Sequence, residues 1–198
     1  MNLTEINITL FRMVNDLGKE HTYLNSVFSF IAEYLVVFLV LSVLFSWFTR
    51  NRENRIMIIS ATITFIFSII VGKVLGLFYS NYQPFVELTG VNLLIEKEVD
   101  NSFPSDHTIL FFSYCFSFWL FKRGVWILSL LVATLVGISR IWVGVHYPFD
   151  VLTSIIISFS IAYIIYSIVR DKGSGFSSQS GTRCLSLRLS KQIRFTKQ

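Results

Sequence analysis

The sequence predicts an all-α fold: a polytopic membrane helical bundle of about five transmembrane helices, preceded by an N-terminal interfacial helix. Three observations predict it. Of 198 residues, 53% are hydrophobic and 15% charged, against about 25% charged in a soluble domain. The apolar residues, 20 Phe among them, gather in runs of membrane length. The cations between those runs fall on one side of the resulting arrangement.

The first 20 residues are amphipathic, interrupted by Glu5, Arg12, Asp16, Lys19 and Glu20, and no small-residue cleavage site follows. They read as a helix lying on the membrane. Spans are expected from about Leu24 to Phe48, Ile56 to Tyr79, Thr108 to Phe121 (with an N-terminal extension through Ser105), Val125 to Trp142, and Phe149 to Val169. Residues 1–171 form one membrane domain. Residues 172–198, rich in Ser, Gly and basic side chains, read as a disordered cytoplasmic tail touching anionic lipid. Cys115 lies in an apolar run and Cys184 in the tail, so no disulfide is expected.

Charge sets the orientation. Arg50, Arg52 and Arg55 follow the first span, Lys122 and Arg123 follow the third, and Arg170, Lys172, Arg183, Arg188, Lys191, Arg194 and Lys197 follow the fifth. The opposite side carries the 80–107 loop, where Lys97 stands alone against Glu87, Glu96, Glu98, Asp100 and Asp106, and a 142–149 turn without Lys or Arg. The positive-inside rule then places the N-terminus and both of these loops outside the cell membrane and the tail in the cytoplasm. The net charge of +5 is accounted for by this pattern and gives no reason to expect nucleic acid as a partner.

Two of the three histidines, His107 and His146, fall in the outward loops beside other polar groups. A charge at membrane depth costs roughly 2.5–3.5 kcal/mol on insertion scales, so Arg140 and Asp150 at span ends need a reason, and a shared polar pocket supplies one. In SRIWVGVHYPFD, Arg140 suits bidentate contact with phosphate. His146 follows past a Gly turn, and Asp150 opens the next helix behind Pro148, a residue at home in a first helical turn. Asp150 can then accept from one imidazole nitrogen of His146 and leave the other free to attack. In SFPSDHT, Ser105 sits at a helix start whose N–H groups favour an anion, and His107 in the same turn is placed to protonate a leaving oxygen. The bland readings are an interface histidine with an incidental arginine, and an ordinary helix cap with a surface histidine.

PSDH at 104–107 and SRIWVGVHYPFD at 139–150 resemble the second and third motifs, PSxH and SRx5Hx3D, of the type-2 phosphatidic acid phosphatase superfamily. The membrane region is most similar to the bacterial undecaprenyl-diphosphatases associated with bacitracin resistance. The resemblance implies that His146 is a nucleophile forming a phosphohistidine, that Asp150 orients it, and that His107 protonates the leaving lipid phosphate and then activates water. It implies that Arg140 and Ser105 bind phosphoryl oxygens, with no metal or cofactor, and that the substrate is undecaprenyl diphosphate.

The first motif of that family, Kx6RP, is not matched. In GKVLGLFYSNYQPF, Gln83 stands where the Arg is expected and Gly76 where the Lys is expected, with Pro84 in place. Gln83 can offer one neutral hydrogen bond, and loss of a charged donor costs roughly 2–4 kcal/mol, or about 10²–10³ in rate. Lys73, about one turn further from the loop, is the candidate replacement; its alternative is to snorkel or pair with Glu33 inside the bundle. Glu33 itself reads as structural, and Asp106 as a solvated residue or helix-start anion. Trp119, Trp126 and Trp142 are expected as interfacial anchors.

Other functions compete with this one. Another lipid phosphate fits the same motifs. Gln83 favours a lipid-phosphate-binding homologue with impaired catalysis. A metal-dependent hydrolase built on Asp106, His107, His146 and Asp150 is opposed by the charge of Arg140 in the same pocket, and a transporter by the lack of two related halves.

Overall fold

The structure is a computed structural model that describes residues 2–49, 51–122 and 124–195; the side chains of Val125 and of everything after Asp171 lie outside the description. Its regular elements, among the described residues, are helical: α1 Leu3–Asn15, α2 Leu17–Glu20, α3 Asn25–Phe48, α4 Arg52–Phe78, α5 Pro84–Glu87, α6 Asp106–Lys122, α7 Ile127–Trp142 and α8 Pro148–Phe195. Short 3-10 turns at Thr22–Leu24 and Gly124–Trp126 lead into α3 and α7.

Local chemistry explains several boundaries. Asn2 caps α1 by accepting from the Glu5 N–H at 2.8 Å, while the Glu5 carboxylate accepts from the Asn2 N–H at 3.0 Å, a capping box. Asn51 caps α4 through the Glu53 N–H. Pro84 and Pro148 each open a helix at the position where the missing N–H costs nothing.

α6 is the centre of the bundle, packed on α4, α7 and α8, with α3 outside against α7. Its contact faces carry small polar residues. Ser117 bonds its own turn at the Ser113 carbonyl, and Ser158 of α8 reaches the Ile109 carbonyl at 3.3 Å. Such side chains let helix backbones approach closely where lipid supplies no hydrophobic drive between helices. The outward faces are the reverse: Phe38, Leu41 and Phe45 of α3, Ile66, Phe67 and Ile70 of α4, and Ile156 and Ile164 of α8 are exposed. A contiguous apolar exterior of this extent belongs in a bilayer.

Among the described residues, three segments are long and apolar enough to cross a membrane alone: Thr22–Phe48, Arg52–Phe78 and Pro148–Asp171. α6 and α7 occupy the expected third and fourth positions with 17 and 16 residues, or about 25 Å of rise each. They stop short because both end at a buried polar site, where protein supplies the hydrogen-bond partners that lipid lacks.

The structure adds to the reading of α1 and overturns that of Trp142. α1 lies against α7 and α8, and buries Asn7, Phe11 and Asn15, so its inner face covers protein as well as any interface. Trp142 is 5% exposed, stacked on Phe28 at 4.1 Å and bonded through its indole N–H to Asn25, so it is an internal brace and no lipid anchor. α8 runs on to Phe195, past the point where the sequence reading begins a disordered tail; the side chains of that segment are outside the description.

Candidate active site

The turn after α7 folds back on its own helix. The N–H groups of Val145 and His146 both donate to the Arg140 carbonyl, which returns His146 to the end of the helix that carries Arg140. Gly144 makes this possible. Its φ is +88°, and a Cβ there would lie 2.8 Å from Val91 Cγ1 and 3.0 Å from the Asn92 carbonyl oxygen. A side chain would be strained by backbone and neighbours together.

His146 is 4% exposed. Its Nδ1 lies 2.8 Å from the Ser102 carbonyl oxygen, an atom that only accepts, so Nδ1 carries the proton and Nε2 holds the free lone pair. Asp150 is not that acceptor: its Oδ2 is 3.8 Å from Nδ1, beyond hydrogen-bond length. The same Oδ2 accepts from the Ser102 hydroxyl at 2.6 Å and the Tyr147 N–H at 2.8 Å. Asp150 therefore supports the imidazole by its field and by fixing Ser102 and the turn. Burial holds the His146 pKa below the ordinary imidazole value; the nearby Arg140 charge adds to this, and Asp150 opposes it. The ring is neutral at pH 7, the form that can attack.

Arg140, 3% exposed, bonds the Ala32 carbonyl of α3 through Nη1 at 3.1 Å, while its buried Nε has no hydrogen-bond partner among the described residues. Glu33, on the next residue of α3, is exposed and acts electrostatically on Arg140. Ser105 directly precedes α6 and is fully buried; its hydroxyl accepts from Thr108 at 2.9 Å and its carbonyl from Ser154 of α8. His107, in the first turn of α6, is partly exposed and lies in the fields of Arg140, His146 and Lys97. His107, Arg140 and His146 thus act on one another electrostatically, with Asp150 beside His146.

The two candidates from the unmatched motif do not join them in the expected way. Gln83 is fully buried, and both ends of its amide are used: Nε2 donates to the Glu98 carbonyl at 3.1 Å and Oε1 accepts from the Asp100 N–H at 3.1 Å. It pins the loop, with its carbonyl and one N–H of its amide engaged by backbone groups. Lys73 pairs with Asp106 at 2.9 Å, not with Glu33, and so sits beside His107 with its charge balanced. Asp106 is the helix-start anion expected of it.

Ser102 and the N-terminal helix were not foreseen as parts of the site. The Asn15 amide donates to the carbonyls of Asn92 and Trp142 and accepts from the Asn92 N–H, tying α1 to both outward loops. Phe11 meets Tyr147 edge-on at 5.5 Å, and the Tyr147 hydroxyl donates to Glu87 at 2.9 Å. Burial and that carboxylate push the Tyr147 pKa well up, so the hydroxyl keeps its proton. A cavity of about 460 Å³ opens between α1 and this turn, reaching Asp150 past Asn7, Ile8, Phe103 and Phe149.

Comparison with known proteins gives consistent matches. The chain matches the PAP2 superfamily over residues 63–174. It is 51% identical over 166 residues to the bacitracin transport permease protein BcrC of Bacillus licheniformis, covering 84% of this chain and 82% of that protein. It is 33% identical over 161 residues to the undecaprenyl-diphosphatase BcrC of Bacillus subtilis, covering 81% and 83%. Among solved structures, Aquifex aeolicus LpxE superposes with a TM-score of 0.66 at 25% identity, over 82% of this chain and 95% of that one.

Proposed function

The chain belongs to the PAP2 superfamily, and from that premise we propose that it is a membrane phosphatase converting undecaprenyl diphosphate to undecaprenyl phosphate and inorganic phosphate. The observation that carries the chemistry is the 2.8 Å contact from His146 Nδ1 to the Ser102 carbonyl, which leaves Nε2 as a neutral, oriented nucleophile. The name of the Bacillus subtilis relative supports the substrate.

In the first step His146 Nε2 bonds the terminal phosphorus as the bond from phosphorus to the bridging oxygen breaks. His107 gives its proton to that oxygen, and undecaprenyl phosphate leaves. In the second step His107 takes a proton from water, the oxygen attacks phosphorus, and the P–N bond breaks to release phosphate and restore His146. Arg140 and the N–H groups ahead of α6 at Ser105 hold the oxygens over which charge spreads. Lys73 neutralises Asp106, which would otherwise repel a phosphate beside His107. The charge pattern of the connecting loops supports an extracytoplasmic site and a cytoplasmic C-terminus in the cell membrane.

Transport, the activity in the printed name of the Bacillus licheniformis relative, is the second reading. The polar cluster lies at the α7–α8 turn, at one end of the bundle, whereas transport sites gather near the midplane. The test is phosphate release from undecaprenyl diphosphate by purified protein in detergent with EDTA, beside His146→Ala. Release that falls roughly 10⁴-fold in the variant is expected. Absence of release from folded wild-type protein, or release that survives His146→Ala, would overturn the proposal.

A further inference from the structure

The loop between α5 and α6 is anchored to the catalytic turn at two points. Ile95 packs with Val143 and Val145, and the Leu94 N–H donates to the Val143 carbonyl. Seven residues on, Ser102 holds both His146 and Asp150. Residues 96–101 therefore arch beside His146. Gln83 fastens the arch from below at Glu98 and Asp100. Within 96–100 every residue is exposed except Lys97, which is turned partly inward between Glu96 and Glu98. Its ammonium lies 4.0 Å from the Asp100 carboxylate, too far for a strong bond, and its field acts on the imidazoles of both His107 and His146.

We propose that Lys97 is a phosphate-binding residue of this site, delivering from the α5–α6 loop the positive charge that the Gln83 position does not. The inference rests on reading the site as one for a lipid phosphate. Gln83 is then a positioning residue. It exchanges a direct contact for two backbone hydrogen bonds that set the arch, and the cation arrives on the arch. A flexible ammonium suits this place, since it can leave Asp100 and swing to the phosphoryl oxygens when substrate enters. The chain keeps a cation against the developing charge without burying a second guanidinium beside Arg140, an arrangement that would need its own counter-charge.

The test compares wild type with Lys97→Met, Lys97→Gln and Lys97→Arg, all as the full chain in detergent. One assay is phosphate release from undecaprenyl diphosphate; the other is stabilisation against heat by orthovanadate, which requires no turnover. The neutral variants are expected to lose about 10²-fold in kcat/KM and most of the orthovanadate stabilisation, with unliganded melting unchanged, and Lys97→Arg to recover much of both. Neutral variants within about threefold of wild type that keep their orthovanadate response would overturn the assignment. So would an arginine variant as impaired as the neutral ones. If wild type releases no phosphate, the substrate reading fails, while the orthovanadate comparison still decides Lys97.

Discussion

At the residue scale, the proposed catalytic centre is a buried imidazole set by a backbone carbonyl. Because Ser102 holds His146 through its carbonyl and Asp150 through its hydroxyl, the two roles separate by mutation. Ser102→Ala keeps the carbonyl and removes one hydrogen bond to a charged group, worth roughly 1.5–3 kcal/mol, so kcat is expected to fall by about 10- to 100-fold with the substrate KM little changed. The pH profile has a definite sign. On the proposed mechanism neutral His146 attacks, and burial lowers its pKa, so the acid limb of kcat/KM is expected below the ordinary imidazole value, while loss of the His107 proton sets a separate fall on the alkaline side. An acid limb centred above the ordinary imidazole value would contradict this. Gln83→Arg, which motif comparison alone would suggest as a repair, is expected to lower activity. The position is fully buried, and an arginine there removes the acceptor for the Asp100 N–H and adds an unpaired charge.

At the element scale, α1 is a clamp. Its last residue, Asn15, makes three hydrogen bonds to the two outward loops from a fully buried position. Asn15→Ala leaves those loop groups without partners and is expected to cost roughly 2–4 kcal/mol, read as a lower unfolding midpoint in detergent, with a fall in kcat as the turn bearing His146 loosens. The same logic explains why α6 and α7 are shorter than the other spans. Their ends need not reach water, since Ser105, Ser154 and the arch satisfy the polar groups there.

At the scale of the whole molecule, function depends on which face of the membrane the site occupies. A membrane-impermeant thiol reagent is the direct check. After Cys184→Ser, a cysteine at exposed Glu98 is expected to react in intact cells, while the native Cys184 of the parent chain reacts only after permeabilisation; Cys115 is buried and stays silent in both. The opposite pattern would invert the topology. The apolar exterior of α3, α4 and α8 makes membrane residence itself independent of that outcome.

By itself the sequence determined the membrane class and the order of the five apolar helices, and it singled out His107, Arg140, His146 and Asp150 as candidates, because apolar run length and motif spacing are local properties that survive any arrangement of the helices. The tertiary structure decided what lies across space. It assigned the imidazole proton to a bond with the Ser102 carbonyl, turned Gln83 into the loop, paired Lys73 with Asp106 and brought α1 down on both loops. Each of those partners is a backbone group or a residue distant in the chain, apart from the catalytic motifs. Hydrogen bonds of that kind depend on how the helices pack, which no spacing within one segment encodes.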